Sequence, residues 1–151
     1  MTKLNAALRT LAVTSAAVGA VVAGTVSASA NASTVQDWGV VGEDGGETVH
    51  FDNCAANIHA GVDTADSDKI YARAIFLLPT SSRGRACKGW LQRSQYGGPW
   101  ERVGDVHSGG TSSTAWYFAD GNYGYTVRVC VGDLLDPSVS YSCGREWTLV
   151  L

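Results

Sequence analysis

Tyr125-Thr126-Val127-Arg128-Val129-Cys130-Val131 is the stretch on which the fold assignment turns. Tyr125, Val127, Val129 and Val131 recur at every second position, and Thr126, Arg128 and Cys130 stand between them. Successive side chains of an extended chain point to opposite faces of a sheet, so this spacing gives one apolar face for a core. A helical repeat of 3.6 residues would scatter the same residues around a cylinder. The valines are β-branched, which suits a pleated, half-buried surface.

The same period extends outward from this segment. Lys69 to Leu78 places Ile70, Ala72, Ala74 and Phe76 on one face and Tyr71, Arg73, Ile75 and Leu77 on the other, and Pro79 ends the run by removing a ladder donor. Arg85 to Ser94 reads as extended, with Cys87 and Leu91 pointing one way and Trp90 the other. Gly97-Gly98 can take positive φ, so Ser94 to Pro99 reads as a hairpin turn into Trp100 to Val103. Further strands are expected at Glu47 to Phe51, Asn57 to Val62, Thr114 to Phe118, Val139 to Cys143 and Glu146 to Leu151. The last should put Trp147, Leu149 and Leu151 on one face. Asn31 to Gly46 reads as a ragged start, Thr64 to Asp68 and Thr80 to Gly84 as turns, Ser108 to Ser113 as a flexible loop, and Asp120-Gly121-Asn122 as a turn. Many short strands without an amphipathic helix predict an all-β fold: a single small β-sandwich of about eight strands, with a closed β-barrel as the alternative.

Residues 1–30 have the layout of a secretory signal peptide: Lys3 and Arg9 with no acidic residue, an uncharged Ala/Val-rich run from Leu11 to Ala23, then Ala28-Ser29-Ala30 for cleavage. The run is shorter than the roughly 20 residues that cross a bilayer, so cleavage and secretion are expected, with no membrane attachment afterwards. This leaves residues 31–151 as one domain. Losing the two cations takes the formal charge from −3 to −5. An acidic chain with scattered Lys and Arg argues against nucleic acid as a partner. The 45% hydrophobic content excludes a disordered chain.

The four cysteines, Cys54, Cys87, Cys130 and Cys143, all lie in the exported part. An even number in an oxidising compartment reads as disulfides, and no Cys-x-x-Cys pair points to zinc. Bridges between neighbouring strands favour Cys54 with Cys87 and Cys130 with Cys143. Around Cys87-Lys88-Gly89-Trp90-Leu91-Gln92-Arg93-Ser94, Gly97-Gly98-Pro99-Trp100, Cys130 and Cys143-Gly144-Arg145-Glu146-Trp147, the chain resembles small secreted proteins of actinomycetes with two disulfides. The resemblance implies an extracellular domain and carries no activity.

Catalytic signals are sparse. His50, His59 and His107 are the available general bases, but there is no Gly-x-Ser-x-Gly, His-Glu-x-x-His or Walker loop, so no catalytic residue is assigned. Glu101, Arg102 and His107 are the residue types of a small ribonuclease, which keeps a secreted hydrolase as the alternative function. Asp63, Asp66 and Asp68 could offer oxygens to calcium, but their spacing reads better as a solvated turn, so no metal and no cofactor is expected.

Five tryptophans and six tyrosines mark the chain more than any motif does. Some must fill the core, while rings near turns can present a contact surface to a sugar or a protein. Trp90, Trp100, Trp116 and Tyr117 are the candidates for that surface. The expectation is therefore a secreted, monomeric, non-catalytic binding module for an extracellular protein or polysaccharide. A hydrolase inhibitor presenting the loop Gly132 to Ser142 is a special case.

Overall fold

The computed structural model describes residues 34–42, 46, 48–79, 86–133 and 141–151, without the side chains of 67 and 68. The expected signal segment, the Thr80 to Gly84 turn and most of the Gly132 to Ser142 loop lie outside them. The described chain is all-β, in two antiparallel sheets. The first contains β1 (Val35–Val40), β2 (Thr48–Phe51), β3 (Cys54–Asp63), β4 (Asp66–Leu78), β7 (Gly110–Ser113) and β8 (Tyr117–Phe118). The second runs β10-β9-β5-β6, from β5 (Cys87–Gln95), β6 (Glu101–Ser108), β9 (Tyr125–Asp133) and β10 (Tyr141–Cys143). A single 3-10 turn, Gly121–Tyr123, precedes β9, and Asp120 caps it by accepting the Asn122 N–H. In the first sheet β1 and β2 share one edge of β3, taking residues 59–63 and 54–57 respectively, while β7 and β8 share the far edge of β4.

The two sheets close over the faces that the alternation marks. Ile70, Ala72, Ala74, Phe76 and Leu78 of β4 are all buried, whereas Leu77 is more than half exposed. Leu91 of β5, Val103 of β6 and Val127, Val129 and Val131 of β9 meet them from the other side. The apolar surface removed from water along these rows stabilises the fold by about 25 cal/mol per Å². Phe76 reaches across to the second sheet at Gly89, where a Cβ would lie 2.4 Å from its ring, so the glycine is required by close approach. His107, paired with Gly89, stacks on the same ring at 5.1 Å.

Both expected disulfides are present, and no described cysteine is free. The Cys54–Cys87 bridge joins β3 to β5, so it ties the two sheets together and is not a link between neighbouring strands. Cys130–Cys143 does link neighbours, β9 and β10, at directly paired positions.

Several boundaries differ from the sequence reading. The ragged start contains β1, whose alternation is hidden by a bulge: Asp37 pairs with Gly61 and Gly39 with Ala60, leaving Trp38 looped out and 52% exposed. The Thr64 to Asp68 turn is only Thr64-Ala65, because β4 begins at Asp66. The Ser108 to Ser113 loop is the end of β6 followed by β7, which has no apolar side chain and is held by backbone pairing to Ile75 through Leu78. Of the last strand only isolated bridges at Trp147 and Leu149 form; Leu149 is buried and Leu151 exposed. The Ser94 to Pro99 turn forms, with positive φ at Tyr96 and Gly97 rather than at Gly98. The Gly98 N–H donates to the Gln95 carbonyl at 2.9 Å, which closes the turn, and the ladder with β6 resumes at the Arg93–Glu101 pair.

Replacing Cys54 and Cys87 together by serine should lower stability in urea by about 3–4 kcal/mol. Gly89→Ala, which presses on Phe76, should cost about 1–3 kcal/mol. An unchanged unfolding midpoint in either variant would contradict this account of the inter-sheet contact.

Candidate functional site

The outer face of the second sheet holds a groove of about 280 Å³ lined by Lys88, Trp90, Gln92, Arg102, Val106 and Tyr141. Its position follows from strand alternation. Cys87, Gly89 and Leu91 point into the core, so Lys88, Trp90 and Gln92 stand outward in a row along β5. Cys130 of β9 lies opposite Trp90, and its disulfide to Cys143 sets the register of β10, so that Tyr141 comes to pair with Gly132. On the other side of β5 the pairing with β6 slips: Gly89 faces His107, but Leu91 faces Val103. The bulge on β6 opposite Trp90 includes Gly104 at φ +75° and carries Val106 onto the groove wall.

Trp90 and Tyr141 meet edge to face at 5.4 Å between ring centroids. The Lys88 ammonium sits 5.6 Å from the Trp90 ring centre. Next to the groove, the Arg128 guanidinium lies 4.1 Å over the Trp100 ring, donates from Nε to Gln92 Oε1 at 2.8 Å, and approaches Glu146 at 3.7 Å. Arg128 thereby orients the Gln92 amide, whose oxygen accepts this bond and whose NH2 group is left to donate.

Of the four rings singled out in the sequence, Trp90 lines the groove and Trp100 is half-buried beside it under Arg128. Trp116 is a correction: at 3% exposure it is buried and offers no contact surface. The Arg73 guanidinium covers its ring at 4.6 Å, and Gly61, which has no Cβ, lets the ring lie close to the backbone. Tyr117 belongs to β8 in the first sheet and packs against the core, its hydroxyl beside Gly104. Tyr141, Lys88, Gln92 and Val106 were not singled out. Lys88 and Gln92 share the alternation of Trp90 and were legible from it, whereas Tyr141 and Val106 depend on a register and a bulge.

The ionisable groups are dispersed. Glu101 and His107 pair with Arg93 and Gly89, four residues apart on β5 and thus about 13 Å along the strand, while Arg102 pairs with Gln92 and faces the groove. The ribonuclease-type grouping is therefore not assembled. His50 lies exposed on β2. His59 bonds Asp37 through Nδ1 at 3.0 Å, and Arg73 bonds the same carboxylate; no serine hydroxyl joins them among the described residues. Asp63 accepts the Ala65 N–H and Asp66 pairs with Lys69. Among the described residues no three His, Cys, Asp or Glu gather to hold a metal ion.

Partial burial pushes the Asp37 carboxyl up, but the Gly39 N–H, His59 and Arg73 outweigh it and hold its pKa below the usual carboxylate value. A pKa lower in the folded than in the unfolded chain contributes stability that is complete above the unfolded carboxylate range. That contribution disappears as pH falls through the folded value. Comparison with family models, with curated proteins and with solved structures finds no match for the chain. Asp37→Asn should lower stability by about 1 kcal/mol at neutral pH, and the gap from the parent should close in acid. A gap of the same size in denaturant melts at neutral and strongly acid pH would contradict the Asp37 pairing.

Proposed function

We propose that the protein is an exported, non-catalytic binding module that takes extracellular polysaccharide on the outer face of its four-stranded sheet. The observation that carries this reading is the Trp90–Tyr141 pair, which walls an open groove flanked by hydrogen-bond donors. Sugar rings present apolar C–H faces that stack on aromatic rings, and their hydroxyl edges need polar partners, which Gln92, Lys88 and Arg102 supply. Trp90 and Tyr141 are also the residue types that concentrate binding energy at interfaces. The scaffold suits the task, since strands position contact residues more rigidly than loops do and two disulfides reinforce them.

Export rests on the layout of residues 1–30, on the resemblance to small secreted actinomycete proteins, and on the disulfides, which suit an oxidising compartment. No helix among the described residues is long and apolar enough to cross a membrane. Protein recovered from culture medium should begin at Asn31 and contain no free thiol by intact mass. A retained leader or a reduced cysteine would contradict export by this route.

Affinity electrophoresis through gels containing soluble polysaccharides, with sedimentation on insoluble ones, tests the binding reading. At least one polysaccharide should retard the protein, and Trp90→Ala, with its melting temperature checked, should weaken that binding by about tenfold or more. Retention by none, or binding indifferent to Trp90→Ala, would overturn the proposal.

A further inference from the structure

We infer that the groove selects an acidic polysaccharide, a chain of uronic-acid type whose carboxylates are held by Lys88 and Arg102. The inference rests on the polysaccharide-binding reading and deepens it. Its basis is the sign of the lining. Lys88 and Arg102 bring two positive charges, and none of the six residues around the groove is acidic. Among the described residues neither cation has an ion-pair partner, whereas Arg73, Arg128 and Lys69 are each paired with a carboxylate. The chain as a whole carries a formal charge of −3, so an uncompensated cationic patch runs against its net balance.

The hydrogen-bonding character points the same way. Gln92 Oε1 already accepts from Arg128, which leaves the amide NH2 to face a ligand as a donor. Lys88 and Arg102 have no acceptor atoms at all. A lining dominated by donors satisfies carboxylate oxygens better than neutral hydroxyls, which bring protons that need acceptors of their own. Arg102 can grip a carboxylate with two parallel N–H bonds, and Lys88 supplies a compact charge.

The register sets the spacing. Arg102 pairs with Gln92, four residues along β5 from Lys88, so the cations stand about 13 Å apart along the strand with Trp90 between them. That order, cation, ring, cation, fits a short oligosaccharide stacked on Trp90 with a carboxylate reaching each end. A nucleic-acid strand would need a longer track of cations than this face provides.

The test compares polygalacturonate with its methyl ester, which keeps the sugar ring and removes the charge, using the secreted protein in titration calorimetry at low ionic strength. Polygalacturonate should bind about tenfold more tightly than the ester, and Lys88→Gln and Arg102→Gln should each weaken polygalacturonate binding about fivefold and the ester by less, so that the preference for the acid shrinks. Physiological salt should narrow the difference. Equal affinity for acid and ester, with both weakened by Trp90→Ala, would overturn the acidic assignment and leave the polysaccharide reading standing. Tighter binding to single-stranded polyuridylate than to polygalacturonate would overturn it in favour of nucleic acid. Binding to neither polysaccharide, nor to alginate or hyaluronan, would overturn the acidic assignment by itself, and retention by no polysaccharide at all would take the wider reading with it. The ester comparison needs no variant, so poor folding of a substituted chain cannot obscure the result.

Discussion

The contact of Phe76 with Gly89 is the constraint on which the molecule depends. A sheet with one apolar face is stable only against another, and here a large ring from β4 fills the space left by a missing side chain on β5. His107 covers the ring from β6, and the Cys54–Cys87 bridge closes the same two sheets from β3 to β5. In a domain of this size, where net stability is a small difference between large opposing terms, one well-packed ring and one cross-link are a sizeable part of the balance.

That contact also orients the outer surface. Because Gly89 and Leu91 must point inward, Lys88, Trp90 and Gln92 must point outward, and no other arrangement of β5 preserves the core. The groove is thus the reverse side of the packing. Its walls come from what β5 pairs with: a bulged β6 on one side and the disulfide-registered β10 beyond β9 on the other.

Residues whose alternation reflects burial on one face were legible in the sequence, as the rows of β4 and β9 illustrate. Both disulfide pairings were legible too, although the inter-sheet role of Cys54–Cys87 required knowing which strands share a sheet. β1 and β7 were missed for opposite reasons. In β1 a bulge at Trp38 interrupts the period, and in β7 the residues Gly110-Thr111-Ser112-Ser113 carry no apolar signal, so only the backbone bonds to β4 mark it as a strand. Trp116 was misplaced because its burial depends on Arg73 and Gly61, remote in sequence and adjacent in space. Half of the groove was readable from Trp90 and its neighbours, and Tyr141 was not, because a single tyrosine near a cysteine says nothing of the strand it will lie against.

The two sulfur links differ in what they protect. Cys54–Cys87 holds layers that also share a buried core, whereas β10 is a three-residue edge strand beside β9 with Cys130–Cys143 as its covalent tie. Backbone bonds also hold this segment to β9, from the Tyr141–Gly132 pair to the Gly144 N–H on the Val129 carbonyl and the Trp147–Val127 pair, so the second link adds a covalent pin to the register that sets Tyr141 against Trp90. Loss of the two links would therefore be read in different places, in the ring environment of Trp90 for one and in the unfolding midpoint for the other.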